Sequence, residues 1–484
     1  MAFFVGLYLV LSIGIGIYAA RRVHTSTDFI LAGRSLPLYI VIATVFVTFF
    51  GSEAVLGIPA TFMEEGMHGI VADPYGAGLC LIFVGLFFAA RIYRMKLNTI
   101  GDFFRIRYSP SVELMVSIAI CISYLGWIAA QIVALGIVLN IVSAGLISFE
   151  MGMVLGLVSV MAYTVFGGMM SVAIVSFIQM IAIIIGLIAI AWFVAGNVEG
   201  GSAAIVSHAA QNGKFEFWPA LDLAAILAFF GAFITLALGS IPQQDVFQRV
   251  MSAKNENVAA HGSVYGGILY IAFCLIPIFI VYGALLIDPD LVALHSAEGG
   301  DTQRILPEFI LAHTHVALQV LFFGALLSAI MSTAAGTLLA PSAIMAENIL
   351  RPHFNLSDTQ FLLLLRLCVV GFGLVVLGYA YLSAAAGLSI FEMVENAYLI
   401  TLCGAFTPLA FGVYWKRATN AGALASIICG VGTWVVLEIV SWQVVAAGGD
   451  ALLVPPQVAG LAAAIAGMII GSLYFKSGRA MQTA

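Results

Sequence analysis

The sequence predicts an all-α polytopic membrane protein of thirteen transmembrane helices, with the amino terminus outside and the carboxyl terminus inside. Composition, the spacing of apolar runs and the placement of basic residues carry that prediction. Of 484 residues, 62% are hydrophobic and only 9% charged, whereas a soluble domain carries about 25% charged residues. With a mean hydropathy of +1.11, too few polar groups exist to cover a soluble surface. A soluble enzyme, a nucleic-acid binder and a disordered scaffold are excluded at once. The six cysteines stand singly in apolar runs without paired spacing, as small buried hydrophobes rather than a disulfide or metal framework.

A spanning helix needs about 20 mostly apolar residues. Thirteen segments qualify, near 2–20, 37–63, 71–94, 112–144, 149–166, 169–197, 221–249, 261–287, 307–349, 360–384, 388–415, 419–443 and 452–475. In the first, Arg21 and Arg22 follow the apolar stretch, the wrong order for a cleaved signal. With the amino terminus outside, inner loops and helix ends collect 15 basic residues, among them Arg91, Arg94, Arg107, Arg249, Lys416, Lys476 and Arg479. The exterior receives Lys214 and Arg304, and Arg366 lies within a span. That asymmetry fixes the orientation. The longest hydrophilic stretches, 198–220 and 288–306, are too short to fold independently. The chain is therefore one transmembrane domain, 1–484, with its function inside the bundle.

Two spans cannot be ordinary helices. In LPLYIVIATVFVTFFGSEAVLGIPATFM, Gly51, Ser52 and Glu53 fall mid-span, followed by Gly57 and Pro59. Freed backbone at membrane depth is tolerated only where it lines a cavity or is buried in protein. An intramembrane carboxylate there is a functional candidate; the bland alternative is a glycine kink with Glu53 snorkelling to the surface. The seventh span, LDLAAILAFFGAFITLALGSIPQQDVFQRV, is interrupted by Gly239, Ser240, Pro242 and the polar run Gln243, Gln244, Asp245. With 2–20 set apart as an extra helix, these are the first helices of two five-span halves, 36–197 and 221–416. The segment 419–476 adds two terminal helices. Broken helices at matching positions of two halves point to a 5+5 inverted repeat with its site at the midplane. Further on, Ser332 and Thr333 sit side by side among small residues. Their hydroxyls either help coordinate a hard cation such as sodium or bond back to their own helix carbonyls.

At these residues the chain resembles the sodium:solute symporter family, which has the LeuT-type fold. The resemblance is carried by AGRSLPLY (32–39), GIP (57–59), YTVFGGMMSV (163–172) with Gln179, and MST (331–333) with SAIMAEN (342–348). The segments GLFFA (85–89) and IPQQDVFQRV (241–250) are most similar to the choline-transporter branch, and the proline-symporter branch is also near. The resemblance implies a sodium site made by the carbonyls of Val47, Phe50 and Ala329 and the hydroxyls of Ser332 and Thr333. Many members carry an aspartate ligand for a second sodium where this chain has Val175 and Ser176, so one coupling ion is expected. The solute site implied by position comprises Phe49, Gly51, Ser52, Glu53, Trp127, Gln243 and Gln244. A quaternary-ammonium cage needs several aromatic faces. Phe49 and Trp127 supply two, while Ala77 and Gln243 stand at the other matching positions, which argues against choline itself.

The expected activity is sodium-coupled import of a small polar solute, with no enzymatic step. The expected location is the plasma membrane, as in a bacterial inner membrane, with no nucleic-acid partner. Glu53 and Asp245 favour a solute bearing an amine. Two other readings stand beside it. One is a transporter-like sensor or input module with a kinase partner, disfavoured by a chain that ends at Ala484 without a kinase. The other is proton coupling through Glu53. His313 and His315, two residues apart, splay to different faces and do not make a zinc pair. Glu395, near the outer end of its span, is either a solvated vestibule acid or a coupling residue. The basic, aromatic-rich loop RMKLNTIGDFFRIRY (94–108) is expected at the inner membrane interface.

Overall fold

The computed structural model describes residues 2–297, 300–449 and 452–474. Regular structure among them is helical apart from one isolated bridge between Leu36 and Ala253. In hydrocarbon each backbone N–H and C=O needs a partner, and a helix supplies both locally. Nine of the described helices are long and apolar enough to cross a membrane, and eleven if each of two bent pairs counts as one span.

The elements that position the site run in chain order. Helix α1 (Ala2–Ala20) packs on the long helix that follows the first four spans. Next come α2 (Leu38–Phe49) and α3 (Glu53–Glu65), bent by 58° at their junction, then α4 (Val71–Arg94), α5 (Ile100–Arg107) and α6 (Pro110–Val142). Helix α7 (Phe149–Asn197) has 49 residues, roughly 70 Å of rise at 1.5 Å per residue, twice what a bilayer needs. It bends at Gly168, whose φ of 47° and ψ of −143° suit only glycine. This is where the sequence places the boundary between two spans, 149–166 and 169–197.

The second bent pair is α8 (Leu223–Gly239) and α9 (Gln244–Met251), with an angle of 45°. After α10 (Glu256–Ile287) come α11 (Val316–His353), α12 (Asp358–Ala385) and α13 (Ile390–Tyr414). The pair α14 (Asn420–Ala446) and α15 (Pro456–Tyr474) packs mainly on itself. The expected span 307–349 is corrected: Ile305–His313 is a separate short helix, and the spanning helix starts at Val316. Side-chain caps close the helix starts. Ser109 accepts from the Val112 amide ahead of α6, and Ser148 accepts from Met151 ahead of α7. Lys476 and Arg479, counted among the inner charges, lie outside the described residues.

Buried at the centre are α2, the middle of α6 and the middle of α11, while α14 turns much of its apolar surface outward. Function therefore has to be sought where α2, α3, α6 and α11 meet.

Candidate functional site

Helix α2 ends at Phe49, and Phe50 leaves the helical region with φ −83° and ψ 67°. The Gly51 amide folds back to donate to the Phe49 carbonyl at 2.9 Å, and the chain restarts at Glu53 in a wide π-type turn. Such turns are frequent at functional sites. The Ser52 amide donates to Gln131 Oε1 at 2.9 Å. Gln131 in turn donates from Nε2 to Glu53 Oε2 at 2.7 Å, and Trp127 Nε1 donates to Glu53 Oε1 at 3.3 Å. Ser52 Oγ adds a contact at 3.4 Å. Glu53 is fully buried, and all its side-chain partners are neutral donors.

Gly51 ties this carboxylate to the neighbouring hydroxyls. A Cβ at position 51 would stand 2.7 Å from Gln131 Oε1, 2.7 Å from Thr333 Oγ1 and 2.8 Å from Glu53 Oε2. Only hydrogen fits there. Thr333 Oγ1 donates to the Val47 carbonyl at 3.0 Å, across from α11 to α2. Ser332 Oγ meets Ser176 Oγ at 2.7 Å, and Tyr163 donates to the Met331 carbonyl at 2.9 Å. Of the five expected sodium ligands, the structure brings Val47 and Thr333 into direct contact; Phe50, Ala329 and Ser332 are also buried, Ser332 on Ser176. Uncharged oxygens of this kind suit a hard monovalent cation.

Rings cluster around Trp127, one of the donors to this carboxylate. Phe49 lies flat on Trp127 with centroids 5.2 Å apart, and Trp127 stacks on Tyr124 at 6.0 Å. Tyr398 from α13 approaches Trp127 at 5.3 Å, and its buried hydroxyl has no hydrogen-bond partner among the described residues. Tyr270 from α10 is 6.0 Å from Phe49 and donates to the buried carboxylate of Asp73 at the start of α4.

The second break holds the other expected solute residues differently. Gln243 Nε2 donates to Ser123 Oγ at 3.0 Å and reaches Thr401 Oγ1 at 3.4 Å. Gln244 turns away, accepting from the Ile100 amide at 2.8 Å. Asp245 accepts from the Tyr124 hydroxyl at 2.5 Å and pairs with Arg249 at 3.5 Å. Arg249, expected at an inner helix end, is instead 1% exposed inside the bundle. Its placement is corrected accordingly: one turn of helix brings it back to Asp245.

Sequence reasoning missed Gln131, Tyr124, Asp73, Tyr270 and Tyr398. Tyr124, Trp127 and Gln131 follow a spacing of three and four along α6, a signal present in the sequence but silent until the helix's neighbours are known. Farther out, Glu395 lines a cavity of about 420 Å³ with Glu64, Glu65, His68 and Glu392. His313 Nε2 donates to the Asp288 carboxylate at 2.6 Å, while His315 accepts from the Leu318 amide.

Comparison with known proteins gives a consistent result. A profile described as "Sodium:solute symporter family" matches residues 29–430. The chain is 25% identical over 439 residues to a high-affinity choline transporter of Drosophila melanogaster, covering 87% of this chain and 68% of that one. It is 24% identical over 453 residues to the sodium/pantothenate symporter of Escherichia coli K12, covering 90% of each. Among solved structures, a Na+-coupled sialic acid symporter in a substrate-bound outward-open state matches with a TM-score of 0.83 at 19% identity. That match covers 98% of this chain and 97% of the other, a likeness of fold.

Proposed function

From the premise that the chain belongs to the sodium:solute symporter family, we propose that it imports a small polar, amine-bearing solute with one sodium ion by alternating access. It is an integral membrane protein, and the proposed location is the plasma membrane, with thirteen spans, the amino terminus outside and the carboxyl terminus inside. That count takes α1 as a span and α7 as two, divided at Gly168. The two halves, 36–197 and 221–416, form the proposed inverted repeat.

One observation carries the solute reading. Glu53 is a fully buried carboxylate at a helix break, whose side-chain partners among the described residues are all neutral donors, one of them Trp127, on which Phe49 stacks. A buried anion is costly unless a cation pairs with it. An ammonium group entering from outside supplies that charge and can donate to Glu53, and the Phe49–Trp127 stack must part to admit it. The sodium reading rests on Ser332, Thr333 and the Val47 carbonyl. Through Gly51, the Thr333 hydroxyl and the Glu53 carboxylate share one small space, so filling either site alters the other.

Energetically one ion suffices for strong accumulation. An inward charge at 100 mV gains about 2.3 kcal/mol, and a tenfold sodium gradient adds about 1.4 kcal/mol. Together these support accumulation of a neutral zwitterionic solute by roughly several hundredfold. The test is uptake into proteoliposomes under a sodium and then a potassium gradient. The expected sodium Hill coefficient is near one, with large losses of sodium affinity in Ser332→Ala and Thr333→Ala. A reproducible ratio of two sodium ions per solute would overturn the single-ion proposal.

A further inference from the structure

At the face where α4 and α13 end, a cavity of about 450 Å³ opens beside α5. Three arginines line it, Arg91, Arg94 and Arg107, and no acidic residue among the described ones does. The first repeat supplies Arg91 and Arg94 at the end of α4 and Arg107 at the end of α5; α13 supplies Gly412.

The arginines are not equally spent. Arg94 is 69% exposed and holds Glu256 through two contacts, at 2.7 and 3.2 Å. Arg107 is 8% exposed; its Nε donates to the Gly412 carbonyl at 3.0 Å and one terminal nitrogen to the Trp415 carbonyl at 3.1 Å. Its other terminal nitrogen has no hydrogen-bond partner among the described residues. Arg91 lies 4.0 Å above the Tyr414 ring and makes no ion pair among the described residues. Cation–π contact orients a guanidinium but leaves its charge uncompensated and its N–H edge free. A ring of ordinary interfacial anchors would spread toward water; here the cations converge on one concavity.

Its rim is apolar. Ile106 lines the cavity and is exposed, and Leu86 and Phe87, about one helical turn before Arg91, are exposed as well. Tyr414 donates its hydroxyl to the Phe87 carbonyl at 2.5 Å and so fixes the ring beneath Arg91. A concave group of cations with an adjoining exposed apolar rim is complementary to a phosphodiester with chains attached. Arg is the residue suited to phosphate oxygens because its planar fork donates in pairs. Basic pockets between transmembrane helices at the inner interface bind anionic headgroups by this means.

We propose that this cavity binds an anionic phospholipid, with Arg91 and Arg107 on its phosphate and its acyl chains along Leu86, Phe87 and Ile106. The lipid bridges α4 and α5 of the first half to α13 of the second, so its binding holds together elements that alternating access would move apart. None of its lining residues belongs to either helix break or to the proposed sodium site, and it requires only that the chain span a membrane.

The experiment is thermal unfolding of the full purified chain in phosphatidylcholine nanodiscs, with and without phosphatidylglycerol, together with lipid-bound masses counted by native mass spectrometry. Inorganic phosphate alone and phosphatidylcholine alone are the comparison arms. Phosphatidylglycerol is expected to raise the melting temperature and to remain bound in the mass spectrum, while neither comparison arm does so. Arg91→Gln is expected to weaken phosphatidylglycerol binding about tenfold, the loss of roughly one charge-assisted contact, with melting in phosphatidylcholine unchanged. Ile106→Glu, which places a negative charge at the rim, provides the same test by repulsion if Arg91→Gln folds poorly. Equal stabilisation by inorganic phosphate would assign the cavity to a soluble anion. Equal stabilisation by phosphatidylcholine, or full retention of binding in both variants, would remove the site.

Discussion

At the first helix break the Glu53 carboxylate is held by Trp127, Gln131 and Ser52, none of them charged. At the second, Asp245 has Arg249 at 3.5 Å and the Tyr124 hydroxyl at 2.5 Å, and Tyr124 also accepts from the Asp245 amide at 2.9 Å. Both acids are fully buried, and α6 reaches both, through Tyr124 at one break and Trp127 and Gln131 at the other. The difference lies in where the compensating charge resides. Asp245 brings its own cation one helical turn away, whereas Glu53 has none among the described residues. A buried pair balanced internally holds structure; a buried acid without a cation is disposed to take one from outside. The two breaks thus resemble each other in backbone and differ in chemistry.

The sharpest way to break that comparison is to remove the internal cation. Arg249→Met leaves Asp245 buried and uncompensated, and removing one partner of a buried pair costs about 3–5 kcal/mol. Arg249 also packs against Gly336, where an added Cβ would stand 2.2 Å from its guanidinium. The expected result is a large drop in melting temperature and folded yield. Asp245→Asn introduced with Arg249→Met should recover most of it, because no charge then lies unpaired. If the single variant melts like wild type, Asp245 is not balanced by Arg249 and the contrast with Glu53 fails.

Glu53→Gln should do the reverse, sparing the fold and removing function. The amide keeps one carbonyl oxygen for the shorter Gln131 contact, while its NH2 takes the place of the oxygen that accepts from Trp127, so that weaker contact is lost and melting falls only modestly. A hydrogen bond to a charged group is worth about 1.5–3 kcal/mol, so affinity for an amine solute should fall roughly 10- to 100-fold. Binding of a carboxylate solute of similar size should be the control. Loss confined to the amine supports the assignment; sodium-driven uptake of the carboxylate alone, unchanged by Glu53→Gln, defeats it.

How much of this was legible in the sequence depended on how local the signal was. Both breaks were readable because glycine, proline and acids inside apolar runs conflict with helix and with lipid at the same positions. Adjacent hydroxyls at Ser332 and Thr333 were visible for the same reason. Partners on other helices were not. Gln131 and Tyr124 sit on α6 among residues that read as an ordinary apolar span, and their role exists only once α3 and α9 are placed against that face. Arg249 misled for a complementary reason: a basic residue near the end of an apolar run resembles an interfacial anchor, yet the bend after Gly239 carries it inward to Asp245. Asp73 was overlooked at the start of α4, inside the run 71–94 read as a spanning segment, although its carboxylate is buried on Tyr270.

Gly51→Ala tests whether the ion and solute sites are one assembly. The new methyl would meet Gln131, Thr333 and Glu53 together, each at under 3 Å. Overpacking of this kind costs about 1–3 kcal/mol, and here it falls on the groups assigned to sodium and to solute. Isothermal titration should therefore show sodium binding and solute binding weakened in parallel. If only solute binding changes, the Thr333 hydroxyl is independent of the Glu53 network, and coupling must travel by another route.

Trp127→Phe is the smallest and most selective change. It keeps an aromatic face for Phe49 but deletes the Nε1 donor that reaches Glu53 at 3.3 Å. A single hydrogen bond of that length contributes about 0.5–1.5 kcal/mol, with more at stake if Glu53 is charged. Glu53 retains its shorter contact from Gln131, so the carboxylate stays in place and the Thr333–Val47 contact at the proposed sodium site is untouched. The expected outcome is a solute affinity lowered roughly three- to tenfold, with sodium binding in the absence of solute unchanged. Trp127→Ala, which also removes the ring under Phe49, should lower solute affinity further while still sparing sodium. A parallel fall in both affinities in Trp127→Ala would mean that the indole packs the bundle rather than faces the solute. The first break would then hold its acid for structure, as the second does.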